Sequence, residues 1–128
     1  MSGWLNYLWV FLGAGVGGGM RYALATRFPP SPRWPLGTLI ANLAGCLIIG
    51  VLAGLRECGP LQGRAAAWLL LATGVCGGLT TLSSLALELA EFGREREPLA
   101  AALYLAASAG GGVLLAAGAW ALTRAAFK

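Results

Sequence analysis

The chain has 128 residues, of which 58% are hydrophobic and 11% are charged. Its mean hydropathy is +0.73, whereas soluble domains usually contain about 25% charged residues. This composition excludes an ordinary soluble domain and predicts a small integral membrane protein. We expect the lipid bilayer to be its surroundings, and we expect no nucleic-acid partner.

Four apolar runs follow one another along the chain, separated by charged residues and prolines. Each is long enough to cross a ~30 Å hydrocarbon core, which takes ~20 helical residues. The connections are short and leave no room for a soluble domain. The sequence therefore predicts an all-α membrane protein, with a single domain of four transmembrane helices over residues 1–128. The predicted spans are residues 4–25, 36–55, 65–91 and 99–123.

The first two runs have small residues spaced four apart. Gly13 and Gly17 lie on the first run, and Gly37, Ala41 and Gly45 lie on the second. Small residues at this spacing let two helix backbones approach closely in a membrane. We interpret these positions as helix-packing positions that do not contact a solute.

The third run contains the sequence GGLTTLSSL at positions 77–85, with two glycines and four hydroxyl side chains. This composition predicts a helix that is broken in the middle of the membrane. Irregular backbone at that depth is tolerated only where it is buried in protein or lines a wet cavity, so the break indicates an ion or solute site. Carbonyls at 77–80 can coordinate a small hard cation, and the half-helix that starts near Thr81 favours negative charge.

Pairs of polar residues one turn apart occur on three of the four runs. Residues at this spacing share a helix face, so each pair forms a polar stripe. A single stripe could simply hold the helices together by a hydrogen bond, but three stripes beside a broken helix favour a pathway for a solute. The pairs are Thr38 and Asn42, Ser84 and Glu88, and Tyr104 and Ser108.

Acids are almost absent from the predicted spans, because the chain has no Asp and only Glu88 and Glu91 lie inside or at the end of a run. The hydroxyl and amide donors of the stripes suit an anion better than a cation. We do not expect an enzyme, since the chain has no His and its only lysine is Lys128. A small dual-topology multidrug-type exporter is an alternative, although it needs a carboxylate in its first helix and residues 4–25 contain none.

The basic residues are evenly divided between the two sides of the membrane. Alternating helices would place four on each side, or five on one side if Arg21 is included with Arg27, so the usual clear excess of Lys and Arg on the cytoplasmic side is missing. A chain without this bias can insert in both orientations, which predicts a dual-topology protein that forms an antiparallel homodimer. One side has Arg56, Arg64, Arg124 and Lys128, and the other has Arg27, Arg33, Arg94 and Arg96.

Three motifs together resemble the Fluc, or CrcB, fluoride channel family: GGGMRY at 17–22, GTLIANLAG at 37–45 and GVCGGLTT at 74–81. The resemblance covers essentially the whole chain. It implies a passive, fluoride-selective channel that exports cytoplasmic fluoride through a bacterial or archaeal cell membrane. It also implies an antiparallel homodimer with a structural sodium ion, Na⁺, at its centre.

The resemblance also implies roles for individual residues. The backbone carbonyls of Gly77 and Thr80 would hold the sodium ion, and Arg21 would be the vestibule arginine. Together with the stripes described above, it gives a set of pore or anion-contacting residues. They are Asn42, Thr38, Thr81, Ser84, Glu88, Tyr104 and Ser108.

One departure from the family concerns the third helix, where two phenylalanines are usual and this chain has Leu82 and Leu85. A phenyl ring presents a positive edge to an anion, and leucine has no such quadrupole. Three explanations are open. The chain conducts fluoride through its hydroxyl and amide groups alone; or it is a divergent subunit that needs a phenylalanine-bearing partner; or its substrate is altered or conduction is lost.

Overall fold

The computed structural model describes residues 3–29 and 34–127, and the regular elements in these two ranges are all helical. This confirms the predicted all-α class. Arg33 and Lys128, which entered the charge count, lie outside these ranges. The helical segments in chain order are α1 (Gly3–Arg27), α2 (Leu36–Cys58), α3 (65–79), α4 (Leu82–Arg94) and α5 (Pro98–Ala126), of which α3 and α4 together form the broken third helix.

Three helices of the described chain are long and apolar enough to cross a membrane: Leu36–Cys58, Ala65–Arg94 and Pro98–Ala126. α1 is not among them. Its 25 residues are sufficient in length, but its glycines and polar residues such as Asn6 and Arg21 lower its hydropathy. The first span therefore stays a prediction.

Local sequence sets the helix ends nearest the site. Thr81 precedes α4, and its side-chain oxygen accepts the Ser84 N–H at 3.2 Å, which caps the helix. Pro98 begins α5, where its missing N–H removes no helical hydrogen bond. Two stretches, Leu69–Cys76 and Ala106–Gly110, have wide π-helical turns, a feature frequent near functional sites.

α1 packs along α3 through glycines. A Cβ on Gly13 would overlap the Leu70 carbonyl, and a Cβ on Gly17 would overlap the Val75 carbonyl, so no larger residue fits at either position. The later glycine of α1 contacts the later residue of α3, so α1 and α3 run parallel. The packing role predicted for these two glycines is confirmed.

α2 packs along α5 in a similar way. Gly50 lies against Ala116 and Gly54 lies against Thr123, so these two helices also run parallel. Alternate helices therefore share a direction, as expected for helices joined by short connections.

Large apolar side chains cover much of the outside of the bundle. Tyr7 and Phe11 of α1 are 79% and 75% exposed, and Leu114 and Leu122 of α5 are both 75% exposed. A soluble monomer rarely exposes such a surface. It suits contact with lipid or with another protein chain.

Candidate functional site

α3 and α4 are separated by two residues with extended backbone. Thr80 has φ −79° and ψ 152°, and Thr81 has φ −150° and ψ 112°. The predicted mid-span break within 77–85 is therefore confirmed. A break removes i→i+4 hydrogen bonds, so the freed N–H and C=O groups need other partners.

Asn42 of α2 supplies two of these partners. Its Oδ1 accepts the Thr81 N–H at 2.7 Å, and its Nδ2 donates to the Thr81 carbonyl at 3.3 Å. The side chain lies in the bundle with only 9% of the residue exposed. The amide that was predicted to contact the anion thus also binds both backbone groups of one residue at the break.

Arg21 of α1 supplies a third partner. Its Nε–H donates to the Gly78 carbonyl at 3.0 Å. In a continuous helix that carbonyl would accept the N–H of Leu82. The guanidinium group therefore replaces a hydrogen bond that the break removed.

The carbonyls of Gly77, Leu79 and Thr80 also lose their helical donors, and those of Gly77 and Thr80 concern the predicted cation site. In a continuous helix the Gly77 carbonyl would accept the Thr81 N–H, and the Thr80 carbonyl would accept the Ser84 N–H. These N–H groups donate instead to Asn42 Oδ1 and to Thr81 Oγ1. Gly77 and Thr80 are the residues predicted to hold a cation, and both line one open cleft of about 500 Å³.

A second, more polar cavity of about 300 Å³ lies between α1, α2 and the start of α4. Its polar lining combines one guanidinium group with four hydroxyl groups. These groups can all donate hydrogen bonds, so the cavity suits an anion. They belong to Arg21, Tyr22, Thr38, Thr81 and Ser84.

The three polar stripes meet at the carboxylate of Glu88. The Thr38 hydroxyl donates to Glu88 Oε1 at 2.6 Å, and the Tyr104 hydroxyl donates to Glu88 Oε2. Side chains from α2, α4 and α5 are therefore joined in one hydrogen-bonded cluster. The tyrosine is fully buried, with the Trp34 and Phe92 ring centroids 5.9 Å and 5.7 Å from its own.

Ser108 lies one turn beyond Tyr104, in the wide turn of α5. It is 5% exposed, and its Oγ makes no hydrogen bond with any residue in the described ranges. The residue lines the open cleft together with Asn42, Gly77 and Thr80. This buried hydroxyl thus lies beside the cleft without a partner that meets hydrogen-bond geometry in the described chain.

Leu82 and Leu85, which occupy the usual phenylalanine positions, have different surroundings. Both line the open cleft, but Leu82 is 80% exposed, whereas Leu85 is 7% exposed and also packs in a cluster with Phe92 and Tyr104. A ring at the first position would face the cleft. A ring at the second would have to fit among the aromatic residues around Tyr104.

The residues predicted for the site do not include several of its neighbours. Trp34 and Phe92, whose rings lie beside Tyr104, are two of them. Cys46 and Cys76, which line the open cleft, are two more. Contacts between distant helices have no signal in a single sequence.

Comparison with known proteins supplies the family. The model of the CrcB-like protein family, described as Camphor Resistance (CrcB), matches residues 8–120. The chain is 45% identical to fluoride-specific ion channel FluC 2 of Streptococcus pneumoniae serotype 4, over 85% of this chain and 87% of that protein. It is 41% identical to fluoride-specific ion channel FluC of Hyphomonas neptunium, over 80% of this chain and 83% of that protein. It is 38% identical to fluoride-specific ion channel FluC of Pectobacterium atrosepticum, over 88% of this chain and 89% of that protein.

These matches cover most of each protein, and they confirm the resemblance inferred from the three motifs. The relatives are named as ion channels and not as enzymes. Several helices of this chain are suited to crossing a membrane. The chain is a multi-pass membrane protein that belongs to the CrcB family.

Proposed function

We propose that this chain is a passive, fluoride-selective ion channel that lets cytoplasmic fluoride leave through a bacterial or archaeal cell membrane. The observation that carries the proposal is the meeting of hydroxyl and amide groups from three helices beside a helix break. The relatives named fluoride-specific ion channels support the choice of ion.

The polar cavity would be the entrance of the pathway. Arg21 places positive charge on its wall, and the hydroxyl groups there can donate hydrogen bonds to fluoride. The hydroxyls of Thr38 and Tyr104 are already bound to Glu88. A fluoride ion must therefore compete with this carboxylate for the same donors. Beyond the cluster, the hydroxyl of Ser108 offers a further donor.

A structural sodium ion fits the carbonyls of Gly77 and Thr80, because both have lost their helical donors. Oxygen ligands are those that a small hard cation prefers. When bound, the ion would supply fixed positive charge and bring the two broken ends together. The residues line an open cleft, so a second copy related by a two-fold axis would add the same two carbonyls.

The proposed assembly is an antiparallel homodimer with the cleft at its interface. The exposed Leu82 and the largely apolar cleft are a surface that a second copy would cover. The balanced basic residues support insertion in both orientations. A multidrug-type exporter is not supported, because α1 has no acid and Glu88 is held by two hydroxyl groups.

A second candidate is a subunit that conducts only beside a partner with phenylalanines. The observation in its favour is that Leu82 lies at the open cleft, where a ring from another chain could approach. Under this alternative the purified chain would form the dimer fold but would not conduct by itself.

The test is fluoride efflux from liposomes that contain only this purified chain. We expect a fluoride electrode to record rapid efflux, while vesicles loaded with chloride retain it. Fluoride release no faster than from protein-free vesicles would contradict the proposal. Equal release of both anions would contradict fluoride selectivity.

A further inference from the structure

Arg21 is brought to the helix break by the packing of α1. It lies one turn after Gly17, whose lack of a side chain lets α1 approach the backbone of Val75 and Leu79. The approach places the side chain next to the end of α3. Its Nε–H then reaches the Gly78 carbonyl at 3.0 Å, across 57 residues of sequence.

This hydrogen bond gives the Gly78 carbonyl a donor in place of the one that the helix break removes. The Gly78 carbonyl has no partner from α4, and a polar group inside a membrane protein is costly to leave without a hydrogen bond. A donor on a charged group gives a stronger bond than a neutral one. With Asn42 on Thr81 and Arg21 on Gly78, side chains of two neighbouring helices hold both sides of the break.

We propose that Arg21 is a positioning residue for the helix break, and that the N–H at its Nε position, more than its charge, fixes the end of α3. With the Gly78 carbonyl bound to Arg21, the carbonyls of Gly77 and Thr80 remain beside the cleft without their helical donors. The sodium part of this inference rests on the proposed function. The hydrogen bond and the position of α3 do not.

Two substitutions of matched length separate the hydrogen bond from the charge. Arg21→Gln keeps an N–H donor at the position of Nε, because its Nε2 is the same number of bonds from Cα. Arg21→Met has a methyl group there and no donor. Both variants lose the positive charge. Arg27→Met is the control, since it removes the same charge from the last turn of α1.

The main readout is hydrogen–deuterium exchange of the amides at 79–82 in buffer without sodium or fluoride. We expect Arg21→Met to exchange about tenfold faster than the wild type, the factor for losing one hydrogen bond to a charged group. Arg21→Gln keeps a neutral hydrogen bond, so it should exchange about threefold faster than the wild type at most, and Arg27→Met should stay within about twofold. An Arg21→Met chain that does not fold while Arg21→Gln does would support the same conclusion.

Equal exchange in the Gln and Met variants, or failure of both to fold, would overturn the inference, because charge or side-chain size would then be the deciding property. A second readout is the sodium concentration that gives half of the maximal thermal stabilisation. It should rise about tenfold in Arg21→Met and little in Arg21→Gln. A wild-type protein that does not respond to sodium would contradict the cation site of the proposed function, and exchange would still decide the role of Arg21.

Discussion

At the residue scale, Asn42 binds the break as a neighbouring strand would bind an extended chain. Its amide pairs with both the N–H and the carbonyl of Thr81. The second N–H of the amide is left for another acceptor. One side chain can therefore hold the backbone and still contact an anion.

Replacing Asn42 with leucine should lower the free energy of unfolding by about 1–3 kcal/mol, because the Thr81 N–H would lose its acceptor inside the protein. Thermal unfolding of the purified protein in detergent measures the change. Asn6→Leu makes the same substitution on α1, away from the break, and should have a smaller effect. Equal losses in the two variants would contradict the structural role of Asn42.

Tyr104 gives a second prediction at this scale. Tyr104→Phe removes the hydroxyl that donates to Glu88 and leaves the ring in place. We expect fluoride efflux to slow by about fivefold, the factor that corresponds to one hydrogen bond of about 1 kcal/mol. Tyr7→Phe is the matched control, because Tyr7 is 79% exposed on α1. Unchanged efflux in Tyr104→Phe would exclude this hydroxyl from the pathway.

The polar positions of the site could be found from sequence, because a polar residue within an apolar run is conspicuous. Their partners could not. Arg21 and Gly78 are 57 residues apart, and Asn42 and Thr81 are 39 apart. Which side chain meets which backbone group depends on how each helix is rotated, and composition does not determine that rotation.

At the element scale, the parallel packing of α1 against α3 places Arg21 at the helix break. The break itself was predictable, since two glycines and four hydroxyl residues interrupt an apolar run at 77–85. The wide turn at Ala106–Gly110 was not, because its residues would also suit a regular helix. That turn contains Ser108. The i→i+4 spacing predicts Ser108 as a polar position but does not predict the turn.

Gly17→Ala tests the close approach of α1 to α3. Its Cβ would overlap the Val75 carbonyl and lie 2.8 Å from the Leu79 nitrogen. Overpacking of this kind costs about 1–3 kcal/mol, so the thermal unfolding midpoint should fall. Gly19→Ala is the control on the same helix, since nothing lies within 4 Å of its Cβ. If Gly19→Ala destabilised the protein as much, helix contact would not be the reason.

At the scale of the whole molecule, the division of basic residues decides how the chain enters the membrane. With four on each predicted side, small changes should tip the balance. We expect reporters fused to the carboxyl end to show both orientations in the wild type. Arg94→Gln combined with Arg96→Gln should shift most copies to one orientation, with Arg56→Gln and Arg64→Gln shifting them to the other. A wild-type chain found in one orientation only would contradict the dual-topology dimer.

The central claim is that the hydroxyl and amide groups of this chain conduct fluoride without the two phenylalanines. Its most direct test is the initial rate of fluoride efflux from liposomes, for the wild type and for Leu82→Phe combined with Leu85→Phe, each purified without any other subunit. We predict that the wild type alone empties fluoride-loaded vesicles and leaves chloride inside. Efflux from the phenylalanine variant together with none from the wild type would contradict the claim.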